Sequence, residues 1–211
     1  MGLSLENIKT GEKIDVNGDT SFVAASTIKV LAAINFLHET ENGKYTLSTS
    51  ILGSTALYHL KQMISVSDND SWYAFNKLLT YKGEKKYASS LGLAYDSIKN
   101  TITPNDMSTL LTKLYKKELL NSENTNLLLS FMRKTHNMTF IPGSKIVAKT
   151  YNKTGRIDGF VHDVAILDDG INQYALVIFT NGKITLAQRA GLFHEITEAV
   201  PFPKRAQTAL K

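Results

Sequence analysis

The sequence predicts a mixed α/β (α+β) fold in which both ends of the chain complete an antiparallel sheet and a helical lobe lies between them. Three patterns predict it: strand-like alternation at the amino terminus, helical periodicity through the middle, and a second strand-like region followed by a last helix. With 211 residues, 43% of them apolar, the chain is long enough to bury a core and short enough for one domain. We expect a sheet lobe from residues 1–25 and 145–211 and a helical lobe from residues 26–144.

The amino terminus is predicted to form a short hairpin. Residues 3–8 and 12–16 alternate as two strands, and the turn at Lys9-Thr10-Gly11-Glu12 places a glycine where positive φ is wanted. The carboxy-terminal part, after Pro142-Gly143, alternates again as a three-stranded meander. Its strands are predicted over residues 146–150, 160–167 and 174–180, with turns at Asp169-Gly170 and Asn181-Gly182.

The middle of the chain is predicted to be helical. From Ser26 to about Glu39 almost every residue is apolar, so this helix must be buried on nearly all sides. Thr103, before Pro104, is a candidate N-cap for a later helix, and Ser122 is a candidate for the next. Further helices are predicted around residues 57–64, 72–79, 106–115 and 124–132, and a last amphipathic helix over residues 185–200.

The composition excludes several classes of protein. The chain has no cysteine, and its five histidines lack the i, i+4 spacing of a helical zinc site, so we expect no disulfide, no metal and no cofactor. The net charge of +5 comes from lysines spread along the chain, which argues against a nucleic-acid partner. A solvated basic surface explains this charge, and a mild attraction to an anionic polymer such as a bacterial cell wall fits it equally well. No apolar run reaches the length of a membrane span.

Three short motifs occur in a fixed order. Only one serine, Ser26, is followed three residues later by a lysine, Lys29, and it opens the most apolar helix. The Ser67-Asp68-Asn69 triplet is unique. Lys-Thr-Gly occurs twice, and we interpret Lys9-Thr10-Gly11 as structural because it lies in the predicted hairpin turn. The second copy, Lys153-Thr154-Gly155, is predicted to end a strand.

The first motif has the chemistry of a nucleophile and its base. A serine hydroxyl is a poor nucleophile at neutral pH and needs a positioned base. Residues three apart share one face of a helix, so Lys29 can reach Ser26, and burial lowers a lysine pKa enough for it to accept a proton. A helix start also favours a developing oxyanion. In the structural alternative Ser26 is only a helix cap. This alternative explains Ser26 but does not explain why Lys29, the Ser-Asp-Asn triplet and the second Lys-Thr-Gly motif accompany it.

The other two motifs supply the remaining parts of an acyl-transfer site. Ser67 is suited to relay a proton to a leaving nitrogen, and Asn69 to bind a substrate amide. Lys153 with Thr154 is suited to hold a substrate carboxylate, and Gly155 lets a substrate backbone lie close to the strand. We interpret Asp68 and His162 as structural residues.

Together these motifs resemble the Ser-x-x-Lys, Ser-Asp-Asn and Lys-Thr-Gly set of the serine β-lactamase (class A-like) and penicillin-binding protein (DD-peptidase) superfamily. Residues 22–29 are similar to the strand-to-helix junction of class A β-lactamases, and residues 101–104 resemble the segment that closes their omega loop. The resemblance covers nearly the whole chain. It implies a five-stranded antiparallel sheet flanked by helices plus a helical subdomain, with the site between them. It also implies an oxyanion hole from the backbone N–H groups of Ser26 and Arg156.

Two departures from the family pattern affect the interpretation. Family members usually begin with a helix beside the carboxy-terminal one, and this chain starts in the first strand, so we expect a trimmed form of an exported, extracytoplasmic protein. Class A β-lactamases carry Glu-x-x-Leu-Asn in the omega loop. The corresponding loop here, residues 93–102, is short, lacks that glutamate, and contains Asp96 as its one carboxylate.

The function implied by the resemblance is acyl transfer by Ser26 on D-Ala-D-Ala peptides of peptidoglycan, or on β-lactams, which mimic them. We expect a DD-peptidase-like penicillin-binding enzyme that releases β-lactams slowly. Two alternatives remain open: a class A-like β-lactamase with an atypical omega loop, and a non-catalytic binding or sensing homologue. The sequence makes no prediction of oligomeric state.

Overall fold

The computed structural model of the chain describes residues 1–136 and 139–202. Residues 203–211, the end of the predicted sheet lobe, therefore lie outside the described part, as do residues 137–138. The strands are β1 (Gly2–Asn7), β2 (Lys13–Val16), β3 (Phe22–Val23), β4 (Ser50–Ile51), β5 (Ser54–Thr55), β6 (Thr101–Ile102), β7 (Lys149–Ile157), β8 (Phe160–Asp168) and β9 (Gln173–Thr180). The helices are α1 (Lys29–Glu41), α2 (Ala56–Lys61), α3 (Asn69–Leu79), α4 (Tyr81–Ser90), α5 (Pro104–Tyr115), α6 (Ser122–Met132) and α7 (Leu186–Glu198).

The main sheet has five antiparallel strands in the spatial order β2-β1-β9-β8-β7. Strand β1 pairs with β9, with Leu5 opposite Leu176, so the first and last strands of the chain are neighbours. The predicted α+β fold, with an antiparallel five-stranded sheet closed by both ends of the chain, is confirmed. Two further strand pairs are small: β3 with β6, and β4 with β5.

Alternation along the central strands divides the core into two apolar layers. Val164 and Ile166 of β8 belong to the layer that also contains the buried residues of α1 and α5. Ala165 and Leu167 belong to the opposite layer, which contains Phe193 of α7. Strands β8 and β9 are buried on both faces, and their bounds lie within one residue of the predicted ones.

Helix α1 is the buried axis of the helical region. Its residues from Lys29 to Leu37 are all buried, as the absence of a polar face predicts. The first turn, Ala25–Ile28, is a 3-10 turn that continues into α1. Helix α5 packs instead against β1, β8 and β9 of the sheet.

Several boundaries differ from the predictions. Thr103 is the N-cap of α5, as predicted, but Ser122 is wrong as a cap because Asn121 Oδ1 accepts the Asn124 N–H at 2.9 Å and Ser122 is the first helical residue. Strand β7 begins at Lys149 and not at residue 146. It continues through the Lys-Thr-Gly motif to Ile157, so Lys153 lies in the middle of the strand and not at its end.

Helix α4 was not predicted, because its sequence has almost no apolar periodicity. Its buried residues are Glu84 and Ala88. With its amide oriented to donate, Asn76 Nδ2 lies 3.2 Å from both carboxyl oxygens of Glu84. Burial raises the pKa of Glu84 to about 7, because ionisation in this apolar environment is unfavourable.

This buried carboxyl predicts a pH-dependent stability. A pKa raised above its ordinary value of 4.5 means that the folded state holds the proton of Glu84 more tightly than the unfolded state does. The contribution of this carboxyl to the free energy of unfolding is therefore present at low pH and is lost as pH rises towards 7. We expect Glu84→Gln to be more stable relative to wild type at pH 8 than at pH 4.5, by on the order of 2 kcal/mol. Calorimetry at both pH values measures this difference. Glu118→Gln, at an exposed position, is the control, and equal pH profiles for wild type and Glu84→Gln would contradict the prediction.

Candidate active site

Ser26 lies at the junction of strand β3 and helix α1, in the 3-10 turn. Its backbone N–H is in the first turn of a helix, where N–H groups have no partner within the helix. Ala25, immediately before it, has φ of 49°, in the left-handed region that an alanine occupies only under constraint. The half-buried hydroxyl of Ser26 therefore emerges from a strained strand-to-helix turn.

Gly155 of β7 fits closely against this turn. A Cβ at Gly155 would lie 2.9 Å from the Ala24 carbonyl oxygen and 3.0 Å from the Ser26 backbone nitrogen. Both are backbone atoms, which cannot swing aside as a flexible side chain does. The glycine of the Lys-Thr-Gly motif thus permits contact between β7 and the segment that carries Ser26, a role beyond the predicted approach of substrate.

Lys29 is fully buried in the first turn of α1. Its Nζ donates to the Ser67 carbonyl oxygen at 2.7 Å and to Asn69 Oδ1 at 2.7 Å. Both hydrogen bonds go to the Ser-Asp-Asn segment and neither goes to Ser26. Burial lowers the pKa of Lys29 to about 8, partly opposed by the charge of Asp68. A lysine with this pKa is roughly one-tenth neutral at pH 7, as a base for a serine must be.

Ser67 joins the two lysines of the motifs. Its backbone is left-handed, with φ of 62°, at the end of a π-helical turn over Gln62–Val66. While its carbonyl accepts from Lys29, its hydroxyl accepts from Lys153 Nζ at 2.7 Å. Lys153 is 1% exposed, and it also donates to the Thr154 carbonyl at 3.0 Å. Burial, and secondarily the charge of Lys29, lower the pKa of Lys153 to about 7.

The start of helix α3 arranges the rest of the second motif. Asp68 is its N-cap, and Asp68 Oδ2 accepts the Ser71 N–H at 2.7 Å, so the structural interpretation of this residue is confirmed. Asn69 is the first helical residue and binds Lys29. Trp72 lies one turn later on the same face, with its ring centroid 5.8 Å from Lys29 Nζ. The i+3 spacing of Trp72 from Asn69 places it beside the site.

Among the described strands, β7 is the last of the sheet, so its outer edge is open beside Ser26. The two-residue turn at Asp158-Gly159 pairs Ile157 with Phe160. Ile157 and Phe160 form the hydrogen-bonded pair that closes the turn, so the next pair, Arg156 and Val161, is not hydrogen-bonded. The N–H of Arg156 therefore points away from β8, to the open edge. This orientation agrees with the role of second oxyanion donor that the resemblance implies for the Arg156 N–H. The Arg156 side chain is exposed and the Thr154 side chain is half-buried.

His162 and Asp163 of β8 lie behind β7 and are fully buried. His162 Nε2 donates to the Val23 carbonyl at 2.8 Å, because its Nδ1 accepts the Thr180 N–H at 3.1 Å. Burial lowers the pKa of His162 to about 4, so it is neutral, and its interpretation as a structural strand histidine is confirmed. Burial raises the pKa of Asp163 to about 7; its oxygens accept from the Asn152 amide and the Ile141 N–H, each at 3.0 Å.

The short loop after Leu93 contains one carboxylate, Asp96, which accepts hydrogen bonds from the backbone of the same loop. Asp96 Oδ1 accepts the backbone N–H groups of Ile98 and Lys99 at 2.9 and 3.0 Å. These donors lower the pKa of Asp96, since they stabilise its charged form. Both backbone hydrogen bonds between Asp96 and Thr101 close the loop. Asp96 therefore stabilises the turn of its own loop.

Within residues 1–136 and 139–202, no group of three or more His, Cys, Asp or Glu side chains is arranged to hold a metal ion. Across the same ranges, no helix combines the length and apolarity needed to cross a bilayer.

This fold and this cluster define a serine hydrolase of the β-lactamase and penicillin-binding superfamily. The profile of the β-lactamase enzyme family matches residues 1–200, so the chain belongs to that family. Similar solved structures include PBP-A, at 24% identity and a TM-score of 0.84, with 93% of this chain and 86% of that chain covered. An ancestral (GNCA) class A β-lactamase has 18% identity, a TM-score of 0.88 and coverage of 93% and 91%.

A β-lactamase from Chitinophaga pinensis DSM 2588 has the same fold, with 21% identity, a TM-score of 0.86 and coverage of 93% of this chain and 91% of that chain. A search of curated proteins finds no matching sequence. The family assignment thus comes from the profile match, and these structures support the fold.

The close contact at Gly155 gives a testable prediction. Gly155→Ala must displace the backbone around Ser26, and a misplacement of about 1 Å lowers the rate of a reaction about a hundredfold. We expect acylation of Ser26 by penicillin G to slow by about that factor. The mass of the intact protein, measured over time, gives the rate. Gly191→Ala in α7 is the control, because its new Cβ would meet no heavy atom within 4 Å outside the adjacent backbone of its own helix. Acylation of Gly155→Ala at the wild-type rate would show that the contact is not important.

Proposed function

We propose that this chain is a DD-peptidase-like penicillin-binding enzyme, in which Ser26 is acylated by D-Ala-D-Ala peptides of peptidoglycan and by β-lactams. The observation that carries the proposal is the combination of a complete acylation cluster with a loop whose single carboxylate is held in its own turn. The site is thus built to form an acyl-serine ester and lacks the family's usual base for hydrolysing it.

Acylation begins with proton transfer from Ser26 to the neutral form of Lys29. A neutral amine keeps two N–H donors, which the Ser67 carbonyl and Asn69 Oδ1 accept, and this leaves its lone pair for the serine proton. The Ser26 oxygen then attacks the substrate carbonyl. The backbone N–H groups of Ser26 and Arg156 stabilise the oxyanion.

Breakdown of the tetrahedral intermediate breaks the carbon–nitrogen bond and leaves an ester on Ser26. The leaving nitrogen takes a proton from the Ser67 hydroxyl, and Ser67 is reprotonated by Lys153, which is hydrogen-bonded to it at 2.7 Å. Lys29 now holds the proton that Ser26 lost, and Lys153 has given one up. Lys29 releases its proton to water and Lys153 takes one from water, so both lysines return to their starting forms. Lys153 in its charged form also attracts the substrate carboxylate, with Thr154 beside it.

Two further points support the proposal. One neighbour of the same fold, a point mutant of PBP-A, has been solved as an acyl-enzyme complex with penicillin G. A peptidoglycan substrate lies outside the cytoplasm, so we propose an extracytoplasmic location for this protein. The positive net charge of +5 suits an anionic cell-wall polymer.

The first test of this function is covalent labelling. We expect penicillin G to add one acyl group per chain, placed on Ser26 by peptide mapping, and an acyl-D-Ala-D-Ala peptide to release D-alanine. Ser26→Ala should abolish both reactions because the nucleophile is gone. Ser71→Ala, in the same helical region, should still be labelled. A lasting penicillin adduct without peptide cleavage would instead indicate a sensing protein, and labelling that persists in Ser26→Ala would refute the nucleophile.

The second test concerns hydrolysis of the penicilloyl ester. Because Asp96 is occupied by backbone N–H groups, we expect a burst of one acyl group followed by turnover far below the roughly tens per second of an efficient enzyme. Stopped-flow absorbance and intact mass measure the two phases. Asp96→Asn should leave the slow phase unchanged. Sustained turnover at ordinary enzyme rates would assign the chain as a β-lactamase with a different deacylation route.

A further inference from the structure

The backbone that leads into Ser26 is held carbonyl by carbonyl. Three consecutive carbonyl oxygens each accept a hydrogen bond from a different side chain. The pairs are Val23 with His162 Nε2 at 2.8 Å, Ala24 with Thr27 Oγ1 at 2.7 Å, and Ala25 with Asn100 Nδ2 at 3.3 Å. We call this set the carbonyl clamp. Its members come from β8, from the 3-10 turn and from the short loop before β6.

The clamp acts where the backbone is strained. Ala25 has φ of 49°, and a left-handed alanine crowds its Cβ against its own backbone. Such a conformation persists only when surrounding contacts over-determine it. Since Ala25 is the residue before Ser26, its torsion angles set where the Ser26 N–H and hydroxyl point. Whatever holds Ala25 therefore positions the nucleophile.

Asn100 makes the last contact of the clamp, and its own environment orients it for that contact. It is also left-handed, with φ of 51°, which asparagine tolerates better than other residues with a Cβ. Its backbone carbonyl accepts the Ala24 N–H at 2.7 Å. The Tyr95 hydroxyl donates to Asn100 Oδ1 at 3.4 Å, which fixes the amide so that its NH₂ group faces Ala25.

We propose that Asn100 is a positioning residue for Ser26, which holds the strained Ala25 backbone through its side-chain amide. The inference rests on the proposed function, because it takes Ser26 to be the nucleophile. In class A β-lactamases this loop carries the deacylating glutamate. In this chain the short loop instead contacts Ala25 through Asn100, and so supports the serine that is acylated.

The test is the substitution Asn100→Gly, which keeps a residue that accepts positive φ and a carbonyl for Ala24, and removes only the amide. We expect the acylation rate constant with penicillin G to fall about tenfold or more, while the dissociation constant of the non-covalent complex changes less than about twofold. Asn100→Asp should be slowed at least as much, because a carboxylate cannot donate to the Ala25 carbonyl.

The chain offers a matched control. Asn17 is also left-handed, with φ of 52°, and its amide donates to the Met1 carbonyl at 2.9 Å. It follows β2, at the opposite edge of the sheet from β7. Asn17→Gly therefore makes the same chemical change far from Ser26, and we expect wild-type acylation. Equal rates for Asn100→Gly and wild type, or equal slowing in both glycine variants, would overturn the proposal.

A second measurement separates this inference from the proposed function. If wild-type protein is not acylated by penicillin G, the proposed function fails, whereas the positioning role is still measurable in crystal structures of wild type and Asn100→Gly. We expect Ala25 to leave the left-handed region, and the Ser26 hydroxyl to move, in Asn100→Gly only. An unchanged φ at Ala25 in that variant would refute the positioning role whatever the reactivity.

Discussion

The site depends on the buried amino groups of two lysines, Lys29 and Lys153, which both donate hydrogen bonds to Ser67. Lys29 and Lys153 are 0% and 1% exposed, and within the described ranges neither has a carboxylate at ion-pair distance. Burying an unpaired charge is costly, so the fold surrounds both groups with neutral oxygens from Ser67, Asn69 and Thr154. The same desolvation lowers both pKa values towards neutrality.

The elements around the site contain strained backbone and an unpaired strand edge, which a fold optimised only for stability would avoid. Ser67 is left-handed after a π-helical turn, and this lets its carbonyl face one lysine while its hydroxyl faces the other. Ala25 is left-handed before Ser26. Strand β7 carries a polar motif in its middle and keeps an open edge. Strain and unpaired edges of this kind concentrate at functional sites, where the neighbouring structure holds them in place.

Most of the fold could be predicted because its patterns are local. The central strands, the buried helix α1 and the cap at Thr103 follow from apolar periodicity and residue chemistry over a few positions. The predictions were wrong where local pattern is weak or misleading. Helix α4 has only Glu84 and Ala88 buried, and β7 continues through residues whose polarity suggested a strand end. In both cases contacts with distant elements decided the structure.

For the site, the sequence by itself determined which residue types were present: a serine with a lysine one turn away, the Ser-Asp-Asn triplet, and a Lys-Thr-Gly motif in a strand. Only the tertiary structure decided which of them touch. Ser67 and Lys153 are 86 residues apart in the chain, and Ala25 and Asn100 are 75 apart. Periodicity reports which face a residue occupies, but not which distant group it meets. Packing of the sheet against α1 brings these groups within hydrogen-bond distance, because a buried polar atom must find a partner.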